Sequence, residues 1–301
     1  MPYFPNSPFC QKLSPTAPLH KDSVPIIKLL VEKSARACLN TDRYSFPVWK
    51  ATSATKRIPV RLVKKVVSST GVISYKPKTD QLKFLNFIAQ GIPLKPEFKP
   101  AAGKFEGTRE PDAHLIVIET DTKKAWGLWR YKWMDGNPQC EGGGFVKNYE
   151  TGTGQVENLS GGWGERATGL SGLFGLILRS ELEKGVIPHA GAIALLACKK
   201  GIHVPPAMQH DGYSLAQYAP IQGMRLRLPA SHVSKATIPI LRMKEEQMRD
   251  YGDYIVDSAG NPAWFAEDPM TAGGGYSKWT QGLANWQIWP KFPWAKLQVV
   301  A

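Results

Sequence analysis

The sequence predicts an all-β (β-dominated) sandwich carrying two or three short helices and an extended N-terminal arm. The 301 residues include 28 Gly and 24 Pro, too many for a helical bundle. These residues punctuate short apolar runs, the pattern of many strands joined by turns. The apolar fraction of 43% supports a full core and excludes a disordered chain.

Residues 1–22 form a Pro-rich polar arm, and residues 23–301 read as one domain whose first part, 23–100, is a basic subregion. Ser23 to Cys38 is the first helix, with Ser23 at the N-cap, Pro25 in the first turn, and Ile26, Leu29 and Leu30 at helical spacing. Tyr44 to Ala51 and Arg57 to Val67 read as strands, the second with a basic outer face and an edge start imposed by Pro59. Gly91 to Lys104 is an extended connector. Asp112 to Glu119 and Ala125 to Trp133 form a hairpin, with Trp129, Tyr131 and Trp133 sharing one face of its second strand. The glycine-rich stretch 134–175, including Gly142-Gly-Gly and Gly161-Gly-Trp-Gly, reads as long turns and lacks the context of a phosphate-binding loop.

From Gly175 onward a buried segment leads into a short helix carrying Glu181 and Glu183. Gly185 caps that helix and Pro188 prevents its resumption, so His189 opens the apolar strand Ala190 to Ala197. A loop with His203, His210 and Asp211 follows, then a strand with Met224, Leu226 and Leu228 inward and Arg225 and Arg227 on the opposite face. Thr237 to Tyr251 is a helix stopped by Gly252, Tyr254 to Asp257 is a strand, and the tail ends in the apolar strand Leu297 to Val300.

The net charge of +13 belongs to the first third, where residues 1–100 hold 17 Lys/Arg against 5 Asp/Glu. Such a surface attracts an anionic polymer or nucleic acid, or serves as a solvated face. No apolar run approaches the roughly 20 residues of a membrane span, and the N-terminus is not a signal peptide. Cys10, Cys38, Cys140 and Cys198 have no metal-ligand spacing, so no zinc is expected; a Cys10–Cys38 disulfide is open in an oxidising compartment.

The order of Asn6-Ser-Pro-Phe9, Tyr44-Ser-Phe-Pro-Val-Trp49, Asp112-Ala-His114-Leu-Ile-Val-Ile, Glu181-Leu-x-x-Gly-x-Ile-x-His189-Ala and Tyr251-Gly-Asp-Tyr-Ile-Val-Asp257 resembles a poorly characterised family. Its members occur among secreted actinobacterial proteins and bacteriophage virion (tail) proteins. The resemblance implies a jelly-roll-like β-sandwich and a virion or extracellular setting. Gly191 stands where such proteins carry Leu.

Asp112, His114, His189, Arg225, Arg227, Tyr254 and Asp257 all fall near strand ends. Cleavage of a uronic-acid polymer by β-elimination needs a base, an acid and a group that neutralises the carboxylate. His189 or His114 supplies the base, Tyr254 the acid, and Arg225 or Arg227 the clamp, while binding alone uses the arginines with Trp129 and Trp133. The simpler alternatives are satisfied histidines, a turn-initiating Asp257, a solvated arginine face and a core Tyr254. Glu181 and Glu183 are not expected to form a hydrolytic pair, because residues two apart on a helix do not face each other.

The leading expectation is a virion surface or tail-associated structural protein that recognises cell-surface polysaccharide. Other virion proteins, and further copies of the chain, are its remaining partners, with no cofactor. The alternatives are a polysaccharide-degrading enzyme, lyase before hydrolase, and a binder of anionic polymer or nucleic acid through the basic third.

Overall fold

The computed structural model describes residues 3–32, 36–78, 82–102, 111–134, 136–157 and 165–301. Strands hold 29% of the residues and helices 20%, so the fold is β-dominated, as the Gly and Pro content requires. In chain order the strands are β1 (Cys38–Asn40), β2 (Val48–Ala51), β3 (Arg57–Ile58), β4 (Arg61–Val67), β5 (Ile73–Pro77), β6 (Ile92–Pro93), β7 (Leu115–Glu119) and β8 (Lys124–Trp129). They continue with β9 (Lys132–Met134), β10 (Asn137–Cys140), β11 (Gly142–Val146), β12 (Gly191–Leu195), β13 (Arg225–Arg227), β14 (Asp253–Ser258), β15 (Ala263–Phe265) and β16 (Gln298–Val300). The principal helices are α1 (Ser23–Glu32), α2 (Leu82–Ala89), α3 (Arg179–Glu183) and α4 (Pro239–Asp250).

A six-stranded mixed sheet runs β1-β15-β12-β14-β13-β16, and a four-stranded sheet runs β11-β8-β7-β2. Their facing sides share one core, in which Val48, Ile116, Ile118 and Val146 meet Ala192, Ala194, Val256 and Phe265. Alternation along each strand decides which core a side chain joins. In β7, Ile116 and Ile118 point to the shared core, while Leu115 and Val117 point to a second core with Phe84 and Ile88 of α2. The outer side of the six-stranded sheet is covered by α1, α4 and the tryptophan-rich tail, with Ile26, Leu30, Leu241, Met248 and Trp289 buried there. Strands buried on both faces read as continuous apolar runs, which is why β7 and β12 carry so few polar residues. A smaller sheet, β5-β4-β10-β9, and the pair β3-β6 complete the fold. Among the described residues, no helix is long and apolar enough to cross a membrane.

Several expectations are corrected. The first helix is described over Ser23–Glu32, and Cys38, which the sequence places in it, opens β1. Ser23 is its first residue, and its Oγ accepts the Val299 N–H at 2.9 Å, fastening α1 to β16. The hairpin forms, but its second strand stops at Trp129 because Arg130 takes a left-handed φ of 53°. Trp129, Tyr131 and Trp133 therefore do not share a face: Tyr131 is buried and Trp133 lies on β9, in the smaller sheet. Gly142-Gly-Gly is no turn but the start of the buried strand β11. A Cβ at Gly143 would stand 2.2 Å from the Gly127 carbonyl oxygen and 2.4 Å from the Phe84 ring, so only glycine lets these elements approach. Pro59 separates β3 from β4, which the sequence reads as one strand. The Gly161-Gly-Trp-Gly segment and Lys104 lie outside the described residues. All four cysteines are free thiols. The arm contains a 3-10 turn, Pro8–Cys10, that seats Phe9 in the shared core.

One buried polar cluster joins α4 to the six-stranded sheet. Lys244 Nζ lies 2.8 Å from Asp253 Oδ1, and Trp264 Nε1 donates to Asp253 Oδ2 at 2.6 Å. Lys244 also donates to Gln247 Oε1 at 2.7 Å, and Gln247 Nε2 reaches the Gly252 and His189 carbonyls at 2.6 and 3.1 Å. Removing one member of a buried pair leaves the other charge without compensation. Asp253→Ala is expected to lower the unfolding free energy by about 3–5 kcal/mol in denaturant titration; a loss under about 1 kcal/mol would show that the cluster is dispensable.

Candidate functional site

At one end of the shared core the apolar packing gives way to an open cleft of about 640 Å³. It brings together Asp112, His114, Trp129 and Asp257 from the sequence candidates, and adds Glu165, Asp211 and Tyr44. His114 precedes β7 and points the same way as Ile116, so period-2 alternation places it on the cleft side. The same alternation in β8 turns Gly127 and Trp129 toward the cleft, and Trp129 Nε1 donates to Asp112 Oδ1 at 3.1 Å.

Asp257 arrives by a different device. The register of β12 on β14 pairs Ile193 with Ile255 but Ala194 with Asp257, so Val256 is the extra residue of a bulge. Without it, the alternation that sends Asp253 and Ile255 to the helix side would send Asp257 there too. With it, Asp257 faces the cleft and its Oδ1 accepts the Ala167 N–H at 2.7 Å. Asp211 Oδ1 accepts the Ser258 N–H at 3.1 Å and is also bonded by Gln222 Nε2. Tyr44 and Ala113 have φ of 55° and 41°, left-handed values costly for non-glycine residues, and both border the candidate residues of the cleft.

Glu165 is the most constrained group. Its carboxyl is held in a cradle of three glycines from separate segments, where a Cβ on Gly127, Gly172 or Gly144 would lie 1.6, 2.5 or 3.3 Å from its nearest carboxyl atom. Oε2 accepts the Gly172 N–H at 2.9 Å. Beside it, Arg166 is 1% exposed, with its guanidinium between the rings of Phe46 and Phe265 at 5.0 and 4.4 Å. Arg166 donates to the carbonyls of Ser171, Gly172 and Phe174. Glu165 Oε1, His114 Nδ1 and Arg166 Nη1 are buried and make no hydrogen bond among the described residues.

Burial sets the protonation states. It raises Glu165 to about 7, against the smaller opposing effects of the Gly172 N–H and Arg166. It also drives Asp257 well above its ordinary value, although Arg166 pulls the other way. His114, stacked on Phe46 at 4.3 Å, is pushed down to about 4 by burial, with Arg166 acting in the same direction and Asp112 opposing it. At neutral pH the cleft holds a neutral imidazole and a Glu165 near its midpoint, and burial favours the protonated form of Asp257. It can therefore give and take a proton. No Lys or Arg lines it among the described residues, so a uronate carboxylate finds no clamp there.

The other candidates do not converge on this cleft. His189 is 4% exposed, with Nε2 3.1 Å from Glu181 Oε2 and Nδ1 2.8 Å from the Ala190 carbonyl. Both ring nitrogens meet acceptors, an arrangement the imidazolium satisfies. Burial alone lowers its pKa, but Glu181 and the Ala190 carbonyl outweigh burial and leave it raised. Glu181 also accepts the Leu178 N–H at 3.0 Å, so the pair closes the start of α3. Arg225 donates to the Tyr251 carbonyl at the end of α4 and to Tyr254 Oη at 3.2 Å. Arg227 donates to the Ser14 and Pro15 carbonyls and ties down the arm. Trp133 borders a different groove with Arg57 and Lys95. Of the base, acid and clamp candidates, His114 therefore lines the cleft, while His189, Tyr254, Arg225 and Arg227 are held by partners away from it.

Two pH dependences follow. A carboxyl whose folded pKa exceeds its unfolded value keeps a proton that the unfolded chain releases, so stability falls as pH rises from about 4.5 to about 7. Glu165→Gln is expected to gain about 2–3 kcal/mol over the parent on going from pH 5 to pH 8, read by denaturant unfolding; a pH-independent difference would contradict the buried acid. His189 has the opposite sign, because a raised histidine stabilises below about 6.5 and loses that contribution as pH rises through its folded value. His189→Gln is therefore expected to destabilise more at pH 5.5 than at pH 8.5. An equal loss at both would mean that the pair carries no charge.

No family model, curated protein or solved structure matches the chain, so the cleft is interpreted from its own residues.

Proposed function

We propose that the protein hydrolyses a neutral glycan in the intersheet cleft, with Glu165 as the proton donor. The observation that carries this reading is the Glu165 carboxyl, raised to about 7 on the wall of a cleft that also holds Asp112 and Trp129. Glycosidic hydrolysis asks for one carboxyl that still has its proton at working pH and a second that acts as base or nucleophile. Asp112, oriented by the Trp129 N–H, takes the second role, and the indole offers a surface on which a sugar ring stacks. The absence of a described cationic side chain from the lining places hydrolysis ahead of uronate β-elimination. We attach this activity to the setting implied by the resemblance, an exposed virion or extracellular protein meeting cell-surface polysaccharide. A two-sheet sandwich supports it by opening a cleft at one end of its shared core; the parallel β2–β7 and β12–β14 pairs set it apart from an all-antiparallel jelly roll.

Incubation with a panel of neutral and amino-sugar polysaccharides is expected to release reducing ends. The rate should fall as pH rises through about 7, and Glu165→Gln should lower kcat by about 10²–10⁴-fold. Unsaturated, ultraviolet-absorbing products would establish a lyase instead, and glycan binding without products would leave recognition alone.

A further inference from the structure

The basic character of the first third collects on one ribbon. Residues 56–78 carry seven Lys/Arg and no Asp/Glu. Most of that stretch folds into the antiparallel pair β4–β5, where Lys64 stands directly opposite Lys76 and Lys65 opposite Tyr75. Arg61, Lys64 and Lys76 are exposed, and none of the three forms an ion pair among the described residues. Like charges directly opposite across a ribbon repel, and nothing in this chain's described surface relieves that repulsion. A bound polyanion does.

The ribbon is also connected to the cleft. In its sheet, Lys132 of β9 lies over the Tyr75 ring at 4.1 Å. Lys78 Nζ donates to the Glu141 carbonyl at 3.0 Å. The Glu141 carboxylate pairs with Arg130 at 3.2 Å, and the Arg130 guanidinium covers one side of Trp129 at 4.3 Å, on the cleft wall. A chain of contacts, Trp129–Arg130–Glu141–Lys78, thus links the cleft wall to the ribbon.

We propose that the β4–β5 ribbon is a second binding site, which holds an anionic polysaccharide and presents its neutral sugar residues to the cleft. Tyr75, the ribbon's one aromatic residue, has Lys132 over its ring, so the ribbon lacks the bare stacking surfaces used for single-stranded nucleic acid. The choice of glycan over duplex DNA rests on the hydrolytic reading of the cleft. Recognition is by charge, so affinity falls steeply with salt.

The test compares the parent protein with Lys64→Ser/Lys76→Ser for binding to polygalacturonate by calorimetry at low and moderate salt. The parent is expected to bind in a salt-dependent manner and the double variant roughly tenfold more weakly. Its unfolding midpoint should be unchanged or raised, because a repelling pair is removed. Release of reducing ends from a short neutral oligosaccharide is read separately in both proteins, so a silent cleft and an empty ribbon are told apart. Absence of binding by the parent, equal affinity in the two proteins, or tighter binding of a charge-matched DNA duplex than of polygalacturonate would overturn the proposal.

Discussion

The buried Lys244–Asp253 pair is the contact on which the placement of the cleft depends. Asp253 begins β14 and is held from two sides, by the ammonium of α4 and by the Trp264 indole of β15. Gly191 of β12 must lack a side chain at this point, because a Cβ would lie 2.1 Å from Asp253 Oδ1. The helix layer and three strands of the six-stranded sheet are thereby locked in one register. Three residues further along the same strand, the bulge at Val256 releases Asp257 to the opposite side. Without the fixed start, that bulge could slide, and alternation would carry the carboxyl away from the cleft.

The cleft works against the fold that builds it. A fully buried carboxyl beside a fully buried guanidinium is expensive to desolvate, and the polar atoms left without hydrogen bonds add to that penalty. The glycine cradle packs around the carboxyl on three sides, and the left-handed φ at Tyr44 and Ala113 adds a further cost that the surrounding structure sustains. The outcome is a proton held near neutrality. His189 and Glu181 meet the same problem differently: Glu181 Oε2 bonds both the imidazole and the Leu178 N–H, and the arm closes over them through the Ala190 N–H bonded to the Phe9 carbonyl at 2.9 Å. Of the two histidines at strand mouths, His189 has acceptors on both ring nitrogens while His114 Nδ1 is left without a hydrogen bond among the described residues.

The legible part of the sequence was local. His114 was singled out at the end of the strand that became β7, and the Gly185 and Gly252 stops of α3 and α4 followed from helix-end chemistry. Asp112, Trp129 and Asp257 were also singled out, although the reason Asp257 reaches the cleft, a single-residue bulge, leaves no mark in a period-2 pattern. Glu165 was missed because its signal is distributed: Gly127, Gly144 and Gly172 are unremarkable one by one and become a cradle only when β8, β11 and a loop meet. Arg130 ended a strand that its aromatic neighbours appeared to continue, because backbone handedness overrode the pattern there. Arg225 and Arg227 were read as a ligand-facing pair, but their partners, the end of α4 and the arm, come from distant sequence.

The most direct test is a titration of the Glu165 carboxyl carbon by NMR in protein labelled at glutamate, with Glu165→Gln supplying the assignment. A single carboxyl resonance titrating near 7, and absent from the variant, is the expected result. A Glu165 that titrates near the ordinary glutamate value of about 4.3 would contradict a buried proton donor in the cleft.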